Sequence, residues 1–207
     1  MEDYPNAWNK YRKKTASTFL NLEKKSLVKL NCSGLTLDLM CGPYLFSDCF
    51  PHIVGVDWSK EMLKLRVFSE FLVAGNAKQL PFKTSSFKNV ICMGNTFPGF
   101  DKKEGLLVLK EARRILKRRG VFVLSYNKRY PMNLTGLKRL KEAFSANLKG
   151  KHKDWLITHP NTLRKNSKTY LFTSNKLKRL IRGAGFRNPQ SLSNPWWHIG
   201  VISFEKF

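Results

Sequence analysis

Leu35-Thr36-Leu37-Asp38-Leu39-Met40-Cys41-Gly42-Pro43-Tyr44 begins as an apolar run and breaks into a glycine-proline turn; Ile53-Val54-Gly55-Val56-Asp57 repeats the apolar run with an acid at its tip. Each run is apolar through most of its length rather than at every second position. That pattern fits strands covered on both faces, as in a parallel sheet. A turn at Gly42-Pro43 and a short helix connect them.

Working outward from this pair, Ser59 is placed to cap a helix reaching about Glu70. Phe71-Leu72-Val73 is a third strand, Asn89-Val90-Ile91-Cys92-Met93 a fourth and Val121-Phe122-Val123-Leu124-Ser125 a fifth. A helix from about Lys102, expected to end at Gly120, precedes the fifth strand. Strand and helix in alternation predict a doubly wound, mostly parallel α/β sheet with helices on both faces. Beyond Tyr126 the rhythm breaks into a Lys- and Asn-rich stretch with one expected helix, Leu134 to Phe144. A closing helix, Ser174 to Ala184, and two strands near Phe186 to Leu192 and Ile199 to Phe204 follow. That last pair reads as an antiparallel addition at the sheet edge, making seven strands.

The chain of 207 residues has room for one domain. Its expected parts are basic helices over 1–31, a ligand-binding core over 32–127, a basic insertion over 128–173 that is a candidate lid or recognition element, and a closing helix with edge strands over 174–207. Hydrophobic residues at 42% exclude wholesale disorder. Cys32, Cys41, Cys49 and Cys92 form no CxxC pair and have no histidines at ligand spacing, so no metal site is expected, and reduced cytoplasm suits them. No apolar leader or membrane-length apolar window is present.

Charge is the unusual property: 38 Lys and Arg stand against 14 Asp and Glu, a formal net charge of +24. Such self-repulsion opposes compaction and is relieved by a polyanion, with nucleic acid first in line. A solubilising lysine surface is the plain alternative, and an anionic membrane is a weaker one for want of a basic amphipathic helix.

In a doubly wound sheet, ligands lodge beyond the carboxyl ends of the strands where the winding reverses. Asp38 to Tyr44, Asp57, Asn76-Ala77 and Gly94-Asn95 all follow strands. The stretches Leu37 to Tyr44, Gly55-Val56-Asp57-Trp58-Ser59-Lys60-Glu61-Met62-Leu63, Ala74-Gly75-Asn76-Ala77-Lys78-Gln79-Leu80-Pro81-Phe82 and Glu111 to Gly120 resemble, in order and spacing, the successive motifs of class I S-adenosylmethionine-dependent methyltransferases. The resemblance covers about residues 35 to 127 and implies a Rossmann-like fold with S-adenosylmethionine as cofactor.

By that resemblance, Asp38 engages the methionine moiety, with Met40, Cys41 and the Gly42 turn close to its carboxylate. Asp57 accepts the ribose hydroxyls, Asn76 and Ala77 read the adenine, and Trp58 and Met93 bracket the purine. Read alone, an Asp at a strand end or an Asn after Gly75 is a turn former, and Trp58 and Met93 are core residues. The loop carries Met40 and Tyr44 where the family usually has glycine, which narrows the space near the methionine end.

The acceptor side follows the fourth strand. Asn95 is the candidate catalytic residue, its amide oxygen holding an amino nucleophile, with Thr96 and Phe97 beside the acceptor and Tyr126, Lys128 and Arg129 after the fifth strand. Asn95-Thr96-Phe97-Pro98 matches poorly the segment used by amino-methyltransferases of nucleic acid bases. Gly94-Asn95-Thr96-Phe97 looks closer to glycine N-methyltransferase, which favours a small amine. Charge points back to RNA: Lys128 to Arg182 holds fifteen Lys and Arg against Glu142 and Asp154. Trp155, Tyr170, Trp196 and Trp197 are candidate base-stacking rings, with lid or edge packing as the plain alternative, and His159 and His198 are candidate bases. The expectation is a methyltransferase acting on tRNA or rRNA. A small-molecule N- or O-methyltransferase and a non-catalytic RNA-binding or assembly protein are the alternatives, and an activating protein partner stays open.

Overall fold

The computed structural model describes residues 21, 23–28, 33–43, 46, 48–65, 71–94, 96–127, 156–159, 167–170, 172–192 and 199–207. Five strands, β1 (Thr36–Leu39), β2 (Ile53–Asp57), β3 (Leu72–Ala74), β4 (Phe87–Cys92) and β5 (Leu116–Asn127), pair in parallel in the order β3-β2-β1-β4-β5. A two-stranded antiparallel sheet of β6 (Leu156–His159) and β7 (Ser167–Tyr170) stands apart. The main sheet is extended by β9 (Ile199–Glu205), antiparallel to β5, and by β8 (Arg187–Ser191) outside it. This is the expected seven-stranded, mostly parallel α/β sheet. The winding reverses between β1 and β4, so the carboxyl ends of those two strands open the crevice.

Between β2 and β3, α1 (Lys60–Lys64) carries the expected Ser59 cap, with Ser59 Oγ accepting the Met62 N–H at 3.2 Å. Alternate residues of each strand serve opposite faces. Val90, Cys92, Phe122 and Leu124 point into the larger core, shared with the helices α2 (Lys102–Ile115) and α3 (Ser174–Gly183). Ile91, Met93, Val123 and Val201 point the other way, onto Leu27, Phe46 and Phe50. The helical residues 23–28 therefore cover the second face.

The helix α2 starts where the Asp101 side chain accepts the Glu104 N–H at 2.8 Å, and buries Val108, Leu109, Ala112 and Ile115 at helical spacing. At α3, Thr173 caps Lys176, while Leu177, Leu180 and Ile181 turn inward. Each buried Val, Leu or Ile side chain among them contributes about 1.5–3 kcal/mol by leaving water.

Three expectations change. The helix before β5 ends at Ile115, not Gly120, because Leu116 is extended and pairs with Phe87 as the first residue of β5. Lys117 to Gly120 loop out of register there, Arg119 takes φ +58°, and a Cβ on Gly120 would stand 2.8 Å from the Lys117 carbonyl and 2.9 Å from that of Lys88. Gly120 therefore serves close backbone approach and not a helix end. Secondly, the basic insertion contains the β6–β7 ribbon, which its irregular polar sequence did not announce. Thirdly, the strand expected at Phe71 to Val73 is Leu72 to Ala74, with Phe71 exposed. The expected N-terminal helices before residue 21, the helix over 134–144 and the extension of α1 toward Glu70 lie outside the described residues.

Candidate functional site

Asp57 ties together the loops leaving β1, β2 and β3. Its Oδ2 accepts the Gly42 N–H at 2.8 Å, its Oδ1 accepts the Ser59 N–H at 2.9 Å, and its backbone carbonyl accepts the Gly75 N–H at 2.9 Å. The side chain is 7% exposed, so these donors supply what water would otherwise give the carboxylate. Gly42 has φ +50° and Met40 φ +58°, so the turn after β1 is made of two left-handed residues, Gly42 aiming its amide at Asp57. Gly75 is held close: a Cβ there would meet Val56 at 2.9 Å. The Gly42 amide, expected near the ligand carboxylate, here donates to the buried carboxylate at the β2 tip.

Asp38 is buried at the adjoining end of β1. Cys41 is buried with it, and Met40 packs partly against the larger core. Trp58, next to Asp57, is 69% exposed, whereas Met93 is buried on the opposite face among Leu27, Phe46 and Ile91. Met93 is thus committed to packing. Asn76 forms a turn, its Oδ1 accepting the Lys78 N–H at 2.9 Å, with Ala77 buried beside it. The carbonyl-type oxygen keeps a second lone pair for a ligand.

The Asn76 loop is pinned from below. Glu111 accepts the Leu80 N–H at 2.8 Å, while Arg114 donates to the Leu80 carbonyl at 3.0 Å, the Phe82 carbonyl at 2.8 Å and Glu111 itself at 2.8 Å. The Arg114 hydrogen bond holds the Glu111 carboxyl below its ordinary range.

On the acceptor side, Thr96 folds back, its hydroxyl 3.1 Å from the Met93 carbonyl and 3.3 Å from the Cys92 sulfur. Burial pushes the Cys92 thiol up to about 12, so it stays protonated and is no nucleophile. Phe97 departs from expectation. The 3-10 turn Phe97–Gly99 directs its ring inward, 0% exposed, against Phe100 and Phe172, so it packs the core and not an acceptor. Tyr126 is also buried and hydrogen-bonded to Ser174, which ties β5 to α3. Strand β7 lies against the 3-10 turn, bringing the basic insertion beside the β4 exit. Tyr44, Asn95, Lys128, Arg129, Trp155, Trp196, Trp197 and His198 lie outside the described residues.

One residue here went unremarked in the sequence. Glu23, 4% exposed, accepts the Gly94 N–H at 2.9 Å and hydrogen-bonds Ser125, at the carboxyl ends of β4 and β5. Burial raises its carboxyl from 4.5 to about 7. The available signal was its position four residues after Phe19 and four before Leu27, an acid on the apolar face of a basic helix.

The donor set suits a cationic ligand: Asp38 and Asp57 are buried carboxylates at the switch point of a chain with net charge +24. A ligand bearing an ammonium and a sulfonium fits them. Among the described residues, no group of three or more His, Cys, Asp or Glu is arranged for a metal ion, and no helix is long and apolar enough to cross a membrane.

Residues 37–124 match the model of the methyltransferase domain family. A comparison with curated proteins returned no significant match. Among solved structures, the chain is similar to an S-adenosylmethionine-dependent methyltransferase from Thermotoga maritima at TM-score 0.72 and 20% identity, covering 99% of this chain and 98% of the other. It is similar to an S-adenosylmethionine-dependent methyltransferase from Clostridium acetobutylicum at TM-score 0.69 and 13% identity, covering 97% and 98%. It also resembles the structure of a Haloferax volcanii complex with the Trm112 methyltransferase activator, at TM-score 0.68 and 15% identity over 99% and 98%. At these identities the likeness establishes the fold.

Proposed function

We propose that the chain, whose residues 37–124 match a methyltransferase domain model, is a class I methyltransferase that uses S-adenosylmethionine and methylates RNA. The observation that carries the RNA reading is the cationic surplus. Fifteen Lys and Arg face only Glu142 and Asp154 between Lys128 and Arg182, and the β7 part of that stretch lies against the turn leaving β4. Phosphate contacts supply most non-specific affinity for nucleic acid, and Lys176, Arg179 and Arg182 on α3 are exposed for that use.

In this reading Asp57 holds the ribose hydroxyls, Asp38 the methionine ammonium, and the Asn76-Ala77 turn the adenine edge, with Trp58 over the purine. The bound cofactor supplies an electrophilic methyl group on sulfur. What the protein adds is alignment, which in well-oriented systems reaches about 7–11 kcal/mol. Asn95 remains the residue proposed to hold an amino nucleophile after β4. An activating protein partner is a second proposal, supported by the Haloferax volcanii neighbour being a complex with an activator.

Incubating the protein with labelled S-adenosylmethionine, total RNA and a metabolite extract tests the assignment. Label in RNA is the expected result. Label confined to small molecules overturns the RNA reading, and no calorimetric binding of the cofactor overturns the methyltransferase reading as well.

A further inference from the structure

Glu23 is a costly residue in its place. A carboxylate that is 4% exposed loses its hydration, and the two hydrogen bonds from Gly94 and Ser125 do not restore it, as the rise of its pKa to about 7 records. If its task were only to fasten the N-terminal helix to β4, glutamine would accept the same Gly94 N–H without a charge to desolvate. Asp38 and Glu23 both act on Cys92 as like charges, and among the described residues no cation offsets the burial of Glu23. Its location is specific: the Gly94 turn that it anchors, at φ +69°, is exposed and leads directly into the proposed acceptor loop. The carboxylate therefore lies one hydrogen bond from the Gly94 amide, and among the described residues its four lone-pair sites meet two donors, Gly94 and Ser125.

We propose that Glu23 is the proton acceptor of the methyl-transfer site and that the acceptor substrate is an amine or exocyclic amino nitrogen bearing a hydrogen. This rests on the methyltransferase reading and narrows its substrate to nitrogen. On methylation the nitrogen forms its new bond to carbon as the carbon–sulfur bond breaks, and it is left with one proton too many. That proton passes to the Glu23 carboxylate, which becomes a neutral acid, and the methylated amine leaves neutral. Solvent then takes the proton from the neutral acid. A base poised near neutral pH combines a useful ionised fraction with proton affinity.

The test compares wild type with E23Q and E23D using labelled S-adenosylmethionine with total RNA as the probe, between about pH 5.5 and 9. Initial rates of the wild type should rise tenfold per pH unit below about 7 and level off above it. E23Q should lose roughly 10²–10⁴-fold and show no such rise. E23D should recover part of the rate with its pH dependence, which a purely structural role would not require. Calorimetric affinity for S-adenosylmethionine should be unchanged in both. Independently of turnover, a carboxyl-carbon NMR resonance missing from E23Q should titrate with a midpoint near 7 in the free protein. Wild-type rate and pH profile in E23Q, or a titration midpoint at the ordinary carboxylate value near 4.3, overturns the proposal. If the wild type binds the cofactor but labels no RNA, the three proteins are compared on a metabolite extract, and an E23Q rate and pH profile equal to those of the wild type overturn the proposal. If the wild type binds no cofactor, the methyltransferase reading fails, and the proton role falls with it.

Discussion

The Gly42 amide stands 2.8 Å from Asp57 Oδ2, so the turn after β1 and the tip of β2 are one hydrogen-bonded unit. Gly42 reaches that position through φ +50°, a conformation costly for any residue with a Cβ. The geometry explains why a loop with Met40 in place of a glycine still converges on the site: Met40 takes the other left-handed position and lays its side chain partly on the core.

Replacing Asp57 by asparagine keeps one oxygen for the Gly42 N–H and removes the charge. The charge-assisted hydrogen bonds proposed to the ribose would then be lost, so cofactor affinity should fall roughly ten- to hundredfold. Isothermal calorimetry checks this, with a thermal melt to show that folding survives. Wild-type affinity in D57N removes Asp57 from the cofactor site.

Arg114 acts on the Asn76 loop, the proposed adenine site, from outside it. Its guanidinium ties the carbonyls of Leu80 and Phe82 to Glu111, holding the segment after Asn76 against α2. R114A should destabilise the fold by roughly 1.5–3 kcal/mol and weaken cofactor binding without touching it. Because Glu111 is held below its ordinary range, the contribution of this pair is present above that range and lost on acidification through it. Denaturant melts of wild type and R114A should therefore converge as pH falls. Curves that stay parallel down to about pH 3 deny the pair that role.

The parallel strands were legible because burial on both faces leaves a continuous apolar run, and the tip acids Asp38 and Asp57 stand out against it. Phe97 was misread because sequence shows an aromatic after β4 and not the 3-10 turn, begun by Phe97-Pro98, that rotates it inward. The β6–β7 ribbon was missed since Leu156 to His159 and Ser167 to Tyr170 alternate weakly and owe their pairing to each other. Glu23 stands out as an acid on an apolar face, but its role was hidden for a different reason. Its partners, Gly94 and Ser125, lie 71 and 102 residues away, and no local spacing encodes such an interaction.

The charge reading gives a quantitative expectation. For single-stranded RNA, every phosphate that a cationic side chain neutralises adds about 0.7 to the steepness of log affinity against log salt. Substituting Lys176, Arg179 and Arg182 together by alanine should lower that slope by about 2 if α3 lies on the RNA path. Filter binding across a salt series measures it. An unchanged slope takes α3 out of the interface, and wild-type protein that ignores RNA at about 50 mM salt removes RNA altogether.

Stability against pH tests the cost of keeping Glu23. Its carboxyl titrates near 7 when folded and near 4.5 otherwise, so the folded state binds the proton more tightly between those values. Stability from this group is full below about 4.5 and is lost as pH rises through about 7, at up to roughly 1.4 kcal/mol per unit. Glutamine at position 23 does not titrate, so E23Q should match the wild type near pH 4.5 and become more stable than it by pH 8. Chemical denaturation at both pH values reads the difference directly. A variant that gains stability while losing the pH-dependent step of methyl transfer identifies a charge kept for chemistry at the expense of the fold. A stability gap between the two proteins that does not change with pH would instead mean that Glu23 is ionised throughout, with solvent or a cation reaching it.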